Sequence, residues 1–592
     1  MSGKIIKILE SVVFAEGVKD LKTADIVRVG EKKLYGEVLE FAGGVASVQL
    51  YEHAEGLKIG EHVIGSGEPL TVELGPGLLG NVFDGLGRPL TKVGHLIEAG
   101  AEIPTLNRTQ EWQFTPAVAQ GDEVKGGTVL GTVLEAGTVL HKVLVPHEIE
   151  GTIDIIFEGM YSVEEVICVI NSSDGQSHEI TMLQKWPARK PRPFGKKRLS
   201  TAPLYTGQRI IDTMLPIAKG GSAVAAGATG CGKTTLANQL AKYAEIDIVV
   251  YVGCGSRRGE ISDIVEELKT QNDRRTGHPL ISRTVFIAST SEMPYAAHEC
   301  AVYSGFTIAE FYRDMGLEVL LIIDSLSHWA DLLRLVSGKL GETPAERGYP
   351  VYMNSRIAQL YERSGCITCF GAADRAGSIT LVSTLSASDQ DNSDPVTWAV
   401  GRCAKVFWQF DPSLSGKRHF PSVDCINSYS LNLDDLQKWH DRAFGPDFLE
   451  NSNRAVRILQ KEADLHKIAK NFGEDSLAAS DQLILRSARM IREDFLQQDA
   501  FVQIDAFSSY EKQATLLSLI LFYHELCKDA LLKNIPNIRK LFDIPACTLL
   551  GRAKMVRPEE FDEKFSQIAS ELESQIRSEI KRQTQEGEKQ ND

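Results

Sequence analysis

The chain has 592 residues, of which 43% are hydrophobic and 24% are charged, and its net charge at pH 7 is −15. This composition is typical of a globular protein with about three or four domains, and ten cysteines in so long a chain do not make a disulfide scaffold. The negative charge argues against sequence-independent binding of DNA or RNA, which needs a basic surface, so we predict no nucleic-acid partner.

Signals for membrane insertion or export are absent from the sequence. No apolar stretch approaches the roughly 20 residues that a membrane-spanning helix needs. The N-terminus lacks the long apolar core of a signal peptide. We therefore expect a cytoplasmic chain that meets a membrane only through partner proteins.

Two stretches of the chain carry the pattern of β-domains. Residues 1–72 contain short β-rich runs between glycine turns, for example at residues 4–8, 24–29 and 44–50. This spacing predicts a small N-terminal β-barrel. Residues 114–183 are crowded with Gly, Val and Thr and predict a second β-rich domain inserted into the chain.

Two further features are interpreted as structural. Residues 189–198 are rich in Lys, Arg and Pro, and we predict a solvated linker there rather than a nucleic-acid site. Cys366 and Cys369 have the spacing of a redox motif. They lack a thioredoxin-like context, and no second cysteine pair lies nearby to complete a zinc site, so we predict that they pack in the core.

The most informative motif lies at residues 227–234, which read Gly-Ala-Thr-Gly-Cys-Gly-Lys-Thr. It fits the phosphate-binding loop pattern, and it stands between an apolar strand at residues 222–226 and apolar residues at helical spacing. Glycines let backbone N–H groups converge on an anion at the positive end of the helix dipole. Lys233 is predicted to reach the β- and γ-phosphates of a nucleotide, and the Thr234 hydroxyl to hold Mg²⁺.

The region from about residue 200 to 430 alternates apolar strands with helical patterns. The predicted strands are residues 246–252, 284–289, 319–324 and 378–384. Nearly continuous apolar runs of this kind are typical of a parallel sheet covered on both faces, which predicts an α/β fold with crossover helices. After residue 431 the β signals fade and helical periodicity predicts a helical domain.

The strand at residues 319–324 ends in Asp324, which is the Walker B pattern. In that role its carboxylate holds Mg²⁺, usually through water, beside the Thr234 hydroxyl. An acidic residue at the end of a strand is also a common helix N-cap, so the alternative interpretation is that Asp324 caps the following helix. Because a phosphate-binding loop precedes it at a suitable distance, we favour the metal role.

With these motifs the chain resembles, over nearly its whole length, the catalytic A subunit (alpha chain) of the V-type and archaeal-type rotary ATPases. The other matching stretches are residues 73–79 (Glu-Leu-Gly-Pro-Gly-Leu-Leu), 252–255 (Val-Gly-Cys-Gly), 307–311 (Thr-Ile-Ala-Glu-Phe), 361–365 (Tyr-Glu-Arg-Ser-Gly) and 417–422 (Lys-Arg-His-Phe-Pro-Ser). The β-rich insertion is similar to the extra domain that separates A subunits from the F-type beta subunit.

The resemblance and the patterns together predict a multidomain chain. The predicted domains are an N-terminal β-barrel (1–72), the start of the nucleotide-binding domain (73–113), an inserted β-rich or bulge domain (114–183), a P-loop α/β ATP-binding domain (184–430) and a C-terminal α-helical bundle (431–592).

The resemblance implies an ATP hydrolase or synthase that alternates with B subunits in an A3B3 hexamer around central shaft subunits, with a peripheral stalk. It implies that Mg²⁺ with ATP or ADP binds at A–B interfaces, with an arginine finger from the B subunit. It further implies that rotation drives, or is driven by, proton or sodium transport. The A3B3 hexamer would then lie peripheral to the membrane.

The sequence departs from this family at its catalytic centre. Ser256 replaces the glutamate of Gly-Glu-Arg that orients the attacking water, and losing a general base typically costs ~10²- to 10⁴-fold in rate. His328 replaces an arginine that faces the terminal phosphate, and it cannot give a guanidinium's bidentate fork. Thr229 replaces a loop aromatic, and residues 386–390 read Ser-Ala-Ser-Asp-Gln in place of Ser-Pro-Ser-Gly-Gly.

The candidate site residues follow from the motifs and the resemblance. The catalytic set is Lys233, Ser256, Arg257 and His328, and the metal ligands are Thr234 and Asp324. The two phenylalanines in the nucleotide-binding set are candidates for the adenine pocket, and the alternative is that they pack in the core. The nucleotide-binding set is Gly227, Ala228, Thr229, Gly230, Cys231, Gly232, Lys233, Thr234, Thr235, Phe420 and Phe501.

Three functions compete at this point. The first is a working catalytic subunit of a rotary ATPase or ATP synthase, which we favour. The second is an MgATP-binding paralogue with weakened catalysis and a structural or regulatory role, suggested by Ser256 and His328. The third, a hexameric RNA motor, is disfavoured by the charge of −15. Cys231 also suggests a hypothesis of redox control, because a thiol near a helix N-terminus is more reactive. The alternative interpretation is that Cys231 is simply a small residue that a tight loop tolerates.

Overall fold

The computed structural model describes residues 2–18, 21–90, 97–386, 394–473, 476–533, 535 and 537–591. The chain divides into two compact units. The first unit comprises Met1–Ser200, Lys219–Val224 and Ile246–Ala404, and the second comprises Thr201–Ala218, Ala225–Glu245 and Lys405–Asp592.

The first unit begins with a closed β-barrel. Its strands are β1 (Ser2–Leu9), β2 (Val12–Glu16), β3 (Asp25–Val29), β4 (Leu34–Ala42), β5 (Val45–Leu50) and β6 (His62–Pro69). They close in the order β1-β2-β5-β4-β3-β6. Alternate aliphatic side chains such as Val13, Val27 and Val48 fill the interior, as the period-2 pattern predicts.

The inserted segment of the first unit is also β-structure. Its strands are β9 (Trp112–Pro116), β10 (Glu123–Val124), β11 (Val129–Glu135), β12 (Val139–Leu144), β13 (Gly151–Ile156), β14 (Gly159–Tyr161), β15 (Val166–Asn171) and β16 (Ser177–Thr181). They form one sheet in the order β10-β13-β15-β16 and another in the order β12-β11-β9-β14. Beside them, β7 (Thr71–Leu74) pairs antiparallel with β17 (Gln184–Pro187).

The basic run at residues 189–198 is only partly the solvated linker that was predicted. Lys190, Pro191 and residues 194–198 are exposed, but residues 194–198 form a strand, and Arg189 and Arg192 are paired with carboxylates. Arg189 donates to Glu37 Oε2 at 2.7 Å and to Glu299 Oε1 at 2.5 Å. Arg192 is 1% exposed, and its Nε lies 2.7 Å from Asp314 Oδ2. The carboxylates stand more than a hundred residues away in sequence, so composition alone could not show that they neutralise these guanidinium groups.

The rest of the first unit is a largely parallel sheet with helices. Its strands are β8 (Val82–Phe83), β18 (Phe194–Arg198), β20 (Ile248–Ser256), β21 (Thr284–Thr290), β22 (Glu318–Asp324), β23 (Gly365–Cys369) and β24 (Ala376–Ser386). Its helices are α2 (Arg258–Thr270), α3 (Tyr295–Asp314), α4 (Leu326–Leu340), α5 (Met353–Glu362) and α6 (Pro395–Cys403).

The parallel order β24-β22-β20-β21-β8 places the carboxyl ends of β20, β21, β22 and β24 along one edge of the sheet. The four strands predicted from apolar runs are therefore all present, with ends that differ by a few residues from the prediction. The core strand residues are buried, as the continuous apolar runs require.

The second unit holds the glycine-rich loop and most of the helices. Strand β19 (Ser222–Gly227) begins in the first unit and ends in the second, where α1 (Lys233–Tyr243) follows it. The other elements are β25 (Val406–Gln409), β26 (Tyr429–Ser430), α7 (Pro412–Gly416), α8 (Leu433–Phe444), α9 (Asp447–Phe472), α10 (Ala479–Met490), α11 (Gln503–Ala506), α12 (Tyr510–Leu532), α13 (Pro545–Arg552) and α14 (Phe561–Asn591).

Amphipathic periodicity explains the helical part of the second unit. On α14 the side chains of Phe565, Ile568, Leu572 and Ile576 are at most 4% exposed and form one apolar stripe. The Ser509 hydroxyl accepts from the backbone N–H of Lys512 and caps the N-terminus of α12.

Candidate functional site

The glycine-rich loop of the second unit has the backbone that a phosphate-binding loop needs. Gly230 and Gly232 adopt positive φ angles of 85° and 91°, and Gly232 is the N-cap of α1. A Cβ on Gly230 would meet no atom within 4 Å, so glycine is required there by the left-handed backbone and not by crowding. The loop thus turns backbone N–H groups toward the space in front of the helix N-terminus.

The Lys233 ammonium lies folded into the loop. Its Nζ donates to the carbonyl oxygens of Gly227 at 2.8 Å and Ala228 at 2.7 Å, and the residue is 6% exposed. These carbonyls satisfy a buried cation. Phosphate oxygens are stronger acceptors of the same N–H donors, so an incoming phosphate can replace them.

Two contacts hold the rest of the loop. The Ser422 hydroxyl donates to the carbonyl oxygen of Cys231 at 2.6 Å. A Cβ on Gly227 would lie 2.6 Å from Phe410 Cβ, so only glycine lets these two segments approach. Cys231 is 3% exposed and has a free thiol. Its burial favours the interpretation of a small residue in a tight loop.

A cavity of about 620 Å³ opens beside the loop within the second unit. Phe420 and Phe501, named from the sequence as candidates for the adenine pocket, both line it. Phe501 is 88% exposed and Phe420 is 41% exposed, so neither is a core aromatic. Other lining residues include Gly230, Gly232, Thr235, Gln208, Gln239, Arg418, Gln497, Gln498, Asp505 and Lys554.

A buried polar network that the sequence did not reveal supports this cavity. Arg209 is fully buried, and its Nη1 donates to Asp505 Oδ1 at 2.7 Å while its Nη2 donates to the Gln497 carbonyl at 2.8 Å. Gln498 Oε1 accepts from the Arg209 backbone N–H, and the Gln498 backbone N–H donates to the Phe420 carbonyl at 2.8 Å.

The partners of Arg209 are separated from it by almost 300 residues in sequence. No spacing rule could have paired them. The only sequence signal is polar residues flanking Phe501.

In the first unit, Asp324 stands at the carboxyl end of β22. Thr384 Oγ1 donates to Asp324 Oδ1 at 2.5 Å, and Tyr251 OH donates to Oδ2 at 3.3 Å. Asp324 is 5% exposed and the two donors are fully buried. The cap of α4 is Ser325, whose hydroxyl accepts from Ser327 N, so the sequence alternative of Asp324 as the N-cap is wrong.

Ser256 and His328 lie at the same edge of the sheet. Ser256 Oγ donates to the carbonyl oxygen of Asp324 at 3.4 Å, a long and weak bond. The His328 ring packs on Gly255, where a Cβ would lie 2.4 Å from its Cδ2. Arg257 is exposed and precedes α2 as its N-cap.

Behind His328 is a second histidine that stays neutral. The His298 and His328 ring centroids are 6.3 Å apart, and His298 Nδ1 lies 2.6 Å from Ser289 Oγ. Burial, assisted by the nearby His328, lowers the pKa of His298 from 6.5 to about 4. No motif or spacing in the sequence marks His298.

The depressed pKa of His298 predicts a loss of stability in acid. Between pH 6.5 and 4 the unfolded chain binds a proton on this histidine, whereas the folded chain does not. The free energy of unfolding therefore falls as the pH falls, by up to about 3 kcal/mol. We expect His298→Gln to have a shallower pH dependence in urea unfolding measured between about pH 7.5 and 4.5. Equal slopes for the two proteins would contradict this assignment.

Two other features singled out from the sequence are the altered turn at residues 386–390 and the pair Cys366 and Cys369. Residues 387–390 of the altered turn lie outside the described residues. Cys366 and Cys369 are free thiols on β23, and burial raises the pKa of both, which is the behaviour of packing residues.

Two absences among the described residues bear on metals and membranes. They contain no cluster of three or more His, Cys, Asp or Glu side chains that could hold a metal ion by itself. Within the same residues, no helix combines the length and apolar character required to span a bilayer. The Asp324 carboxylate of the first unit and the Thr234 hydroxyl of the second unit each supply an oxygen ligand of the kind that Mg²⁺ prefers, and this ion keeps several waters of its own.

Comparisons with known proteins match most of the chain to domain families. Residues 5–67 match the "ATP synthase alpha/beta family, beta-barrel domain" and residues 103–189 the "ATPsynthase alpha/beta subunit barrel-sandwich domain". Residues 207–430 match the "ATP synthase alpha/beta family, nucleotide-binding domain" and residues 437–537 the "C-terminal domain of V and A type ATP synthase". These matches confirm the predicted fold class.

Individual relatives agree. The chain is 45% identical over 573 residues to the A subunit of the A-type ATP synthase of Methanopyrus kandleri, covering 96% of this chain and 97% of the relative. It is 46% identical over 568 residues to the V-type ATP synthase alpha chain of Clostridium novyi, covering 94% and 95%. Among solved structures, the assembled ATPase EscN of the enteropathogenic E. coli type III secretion system has a TM-score of 0.63 at 20% identity, covering 88% of this chain and all of EscN. That likeness shows the fold alone.

Proposed function

The chain belongs to the family of A subunits, or alpha chains, of the A-type and V-type ATP synthases, and we propose that its second unit binds the base and phosphates of MgATP or MgADP. The observation that carries this proposal is the cavity of about 620 Å³ that joins the positive-φ glycines of the loop to Phe420 and Phe501. Base, ribose and phosphates of one nucleotide need this combination of an aromatic wall and an anion-binding helix N-terminus.

The aromatic side chains suit the base. Phe501 extends into the cavity with most of its surface exposed, and Phe420 lies against Gly232, whose Cβ position is 3.6 Å from the Phe420 ring. A purine between them covers apolar surface that water now contacts. Stacking of a base on an aromatic ring contributes about 1–3 kcal/mol.

The polar residues suit the phosphates and their chemistry. We assign Lys233 to the β- and γ-phosphates and Thr234 with Asp324 to Mg²⁺, which when bound neutralises charge on the phosphate oxygens. Ser256, Arg257 and His328 complete the catalytic set predicted from the sequence. Phosphoryl transfer depends mainly on positioning and charge stabilisation, so a neutral serine slows the reaction without removing nucleotide binding.

The relatives favour a catalytic subunit over a paralogue with a purely structural role. We propose that the chain alternates with B subunits in an A3B3 head on central shaft subunits, with a peripheral stalk. In that assembly it couples ATP hydrolysis or synthesis to the transport of protons or sodium ions. The location that follows is cytoplasmic and peripheral to the membrane, with membrane contact through partner subunits.

Replacing Phe501 with alanine tests the cavity. We expect Phe501→Ala to weaken ADP binding by roughly 10- to 100-fold, which is the loss of one stacked ring. Because the residue is 88% exposed, the melting temperature should stay unchanged. The measurement is calorimetric titration of the full-length chain with ADP in the presence of Mg²⁺.

The control for this experiment is Phe157→Ala. Phe157 is 66% exposed, belongs to the first unit and does not line the cavity. This variant should bind ADP as the wild type does. Wild-type affinity in Phe501→Ala would rule out a base at this wall, and absence of any ADP binding by the wild type would refute the proposed function itself.

A further inference from the structure

The carboxylate of Asp324 is held by hydroxyl groups on both neighbouring strands. Parallel pairing of β22 with β24 sets Ile323 beside Ser383, and one step further along the same register Asp324 reaches Thr384. Pairing of β22 with β20 brings Tyr251 to the other side. Both donors are fully buried, so neither hydroxyl has water as an alternative partner.

The two hydrogen bonds are unequal. Thr384 Oγ1 lies 2.5 Å from Asp324 Oδ1, which is at the short end of the range for hydrogen bonds from a hydroxyl to an oxygen acceptor. Tyr251 OH lies 3.3 Å from Oδ2, where a hydroxyl bond is weak. Thr384 therefore determines the orientation of the carboxylate, and Oδ2 is the oxygen less occupied by protein donors.

The chemistry of threonine suits this task. Its branched Cβ restricts χ1, and the strand fixes its backbone, so the hydroxyl is presented in one direction. Groups that hydrogen-bond a metal ligand typically change metal affinity by about 10- to 100-fold when they are removed.

We propose that Thr384 is a positioning residue that orients Asp324 for Mg²⁺ binding, an inference that rests on the metal role given to Asp324 in the proposed function. Thr384 acts on the ion only through Asp324 Oδ1. Its removal leaves the carboxylate in place with the weak bond from Tyr251, and the affinity for Mg²⁺ falls. Binding of the base and ribose in the second unit does not depend on it.

The test measures metal affinity and stability separately. Full-length wild type, Thr384→Val and Thr384→Ser are titrated with Mg²⁺ at saturating ADP by calorimetry, and ADP binding is also measured in EDTA. We expect Thr384→Val to bind Mg²⁺ roughly 10- to 100-fold more weakly. Thr384→Ser, which keeps the hydroxyl, should recover most of this loss. ADP affinity in EDTA should be the same in all three proteins.

The matched control is Thr380→Val. Thr380 is equally buried on the same strand, and its Oγ1 accepts from the Gly220 backbone N–H at 2.8 Å without contacting Asp324. This variant also loses a buried hydrogen bond and some thermal stability, but it should keep wild-type Mg²⁺ affinity.

Two results would overturn the inference, and they are distinguishable. If Thr384→Val melts at a lower temperature but binds Mg²⁺ as tightly as the wild type, Thr384 is structural only. If wild-type ADP binding itself does not respond to Mg²⁺, the metal role in the proposed function fails, and the positioning role fails with it.

Discussion

Replacing Lys233 with alanine is expected to lower the rate of ATP hydrolysis by ~10²- to 10³-fold, the usual loss when one charged or hydrogen-bonding group at a reacting phosphate or carbonyl is removed. The same change should weaken ATP binding, because the ammonium is the cation that the motif places at the β- and γ-phosphates. The structure adds a second reason. Lys233 Nζ bonds the carbonyls of Gly227 and Ala228, so its loss also loosens the loop.

Lys242 provides a matched control for this effect. It lies in the last turn of the same helix and is 7% exposed, close to the 6% of Lys233. Nine residues of α-helix separate the two by roughly 14 Å, too far for both to reach one phosphate group. Lys242→Ala should lose stability but keep ATP affinity, measured by calorimetry, and hydrolysis rate, measured on the assembled complex. Normal ATP affinity in Lys233→Ala would show that residues 227–234 do not bind phosphate.

Replacing Arg209 with alanine is expected to destabilise the second unit by about 3–5 kcal/mol. Arg209 and Asp505 are both buried, and removing the guanidinium leaves the carboxylate without its cation. It also leaves the Gln497 carbonyl without this donor. Since Gln497, Gln498 and Asp505 line the cavity, ADP affinity should fall together with the melting temperature.

The control for Arg209 is an exposed ion pair of the same unit. Arg489 pairs with Glu493 one helical turn away, and its side chain is 62% exposed. Arg489→Ala should change the free energy of unfolding by about 0.5 kcal/mol or less. The measurement is thermal and urea unfolding of the three full-length proteins. A loss in Arg209→Ala no greater than in Arg489→Ala would mean that the buried network does not stabilise the cavity.

The local parts of the candidate site could be predicted from sequence because each depends on neighbours along the chain. The loop at residues 227–234 needs glycines at fixed offsets and a helix that follows at once. Asp324 needs only an apolar strand before it. Both requirements are visible in a single sequence, and the structure has the expected strand, loop and helix at these places.

Other parts could not be predicted, because charge and polarity do not reveal a distant partner. Arg189 and Arg192 were expected in solvent, yet their carboxylate partners come from strands and helices far along the chain. Thr384 is one of many threonines in apolar strands. Only the register of β24 against β22 brings its hydroxyl to Asp324.

The sequence by itself determined the order of the domains, the phosphate-binding loop and the strand ending in Asp324, since periodicity and glycine spacing are properties of consecutive residues. The tertiary structure decided which residues surround these motifs. Phe501 lines a cavity rather than the core. Arg209 is hydrogen-bonded to acceptors almost 300 residues away in sequence, and the Asp324 carboxylate accepts a hydrogen bond from Thr384. The physical reason is that a hydrogen bond depends on a distance of about 3 Å in space, which folding sets independently of separation along the chain.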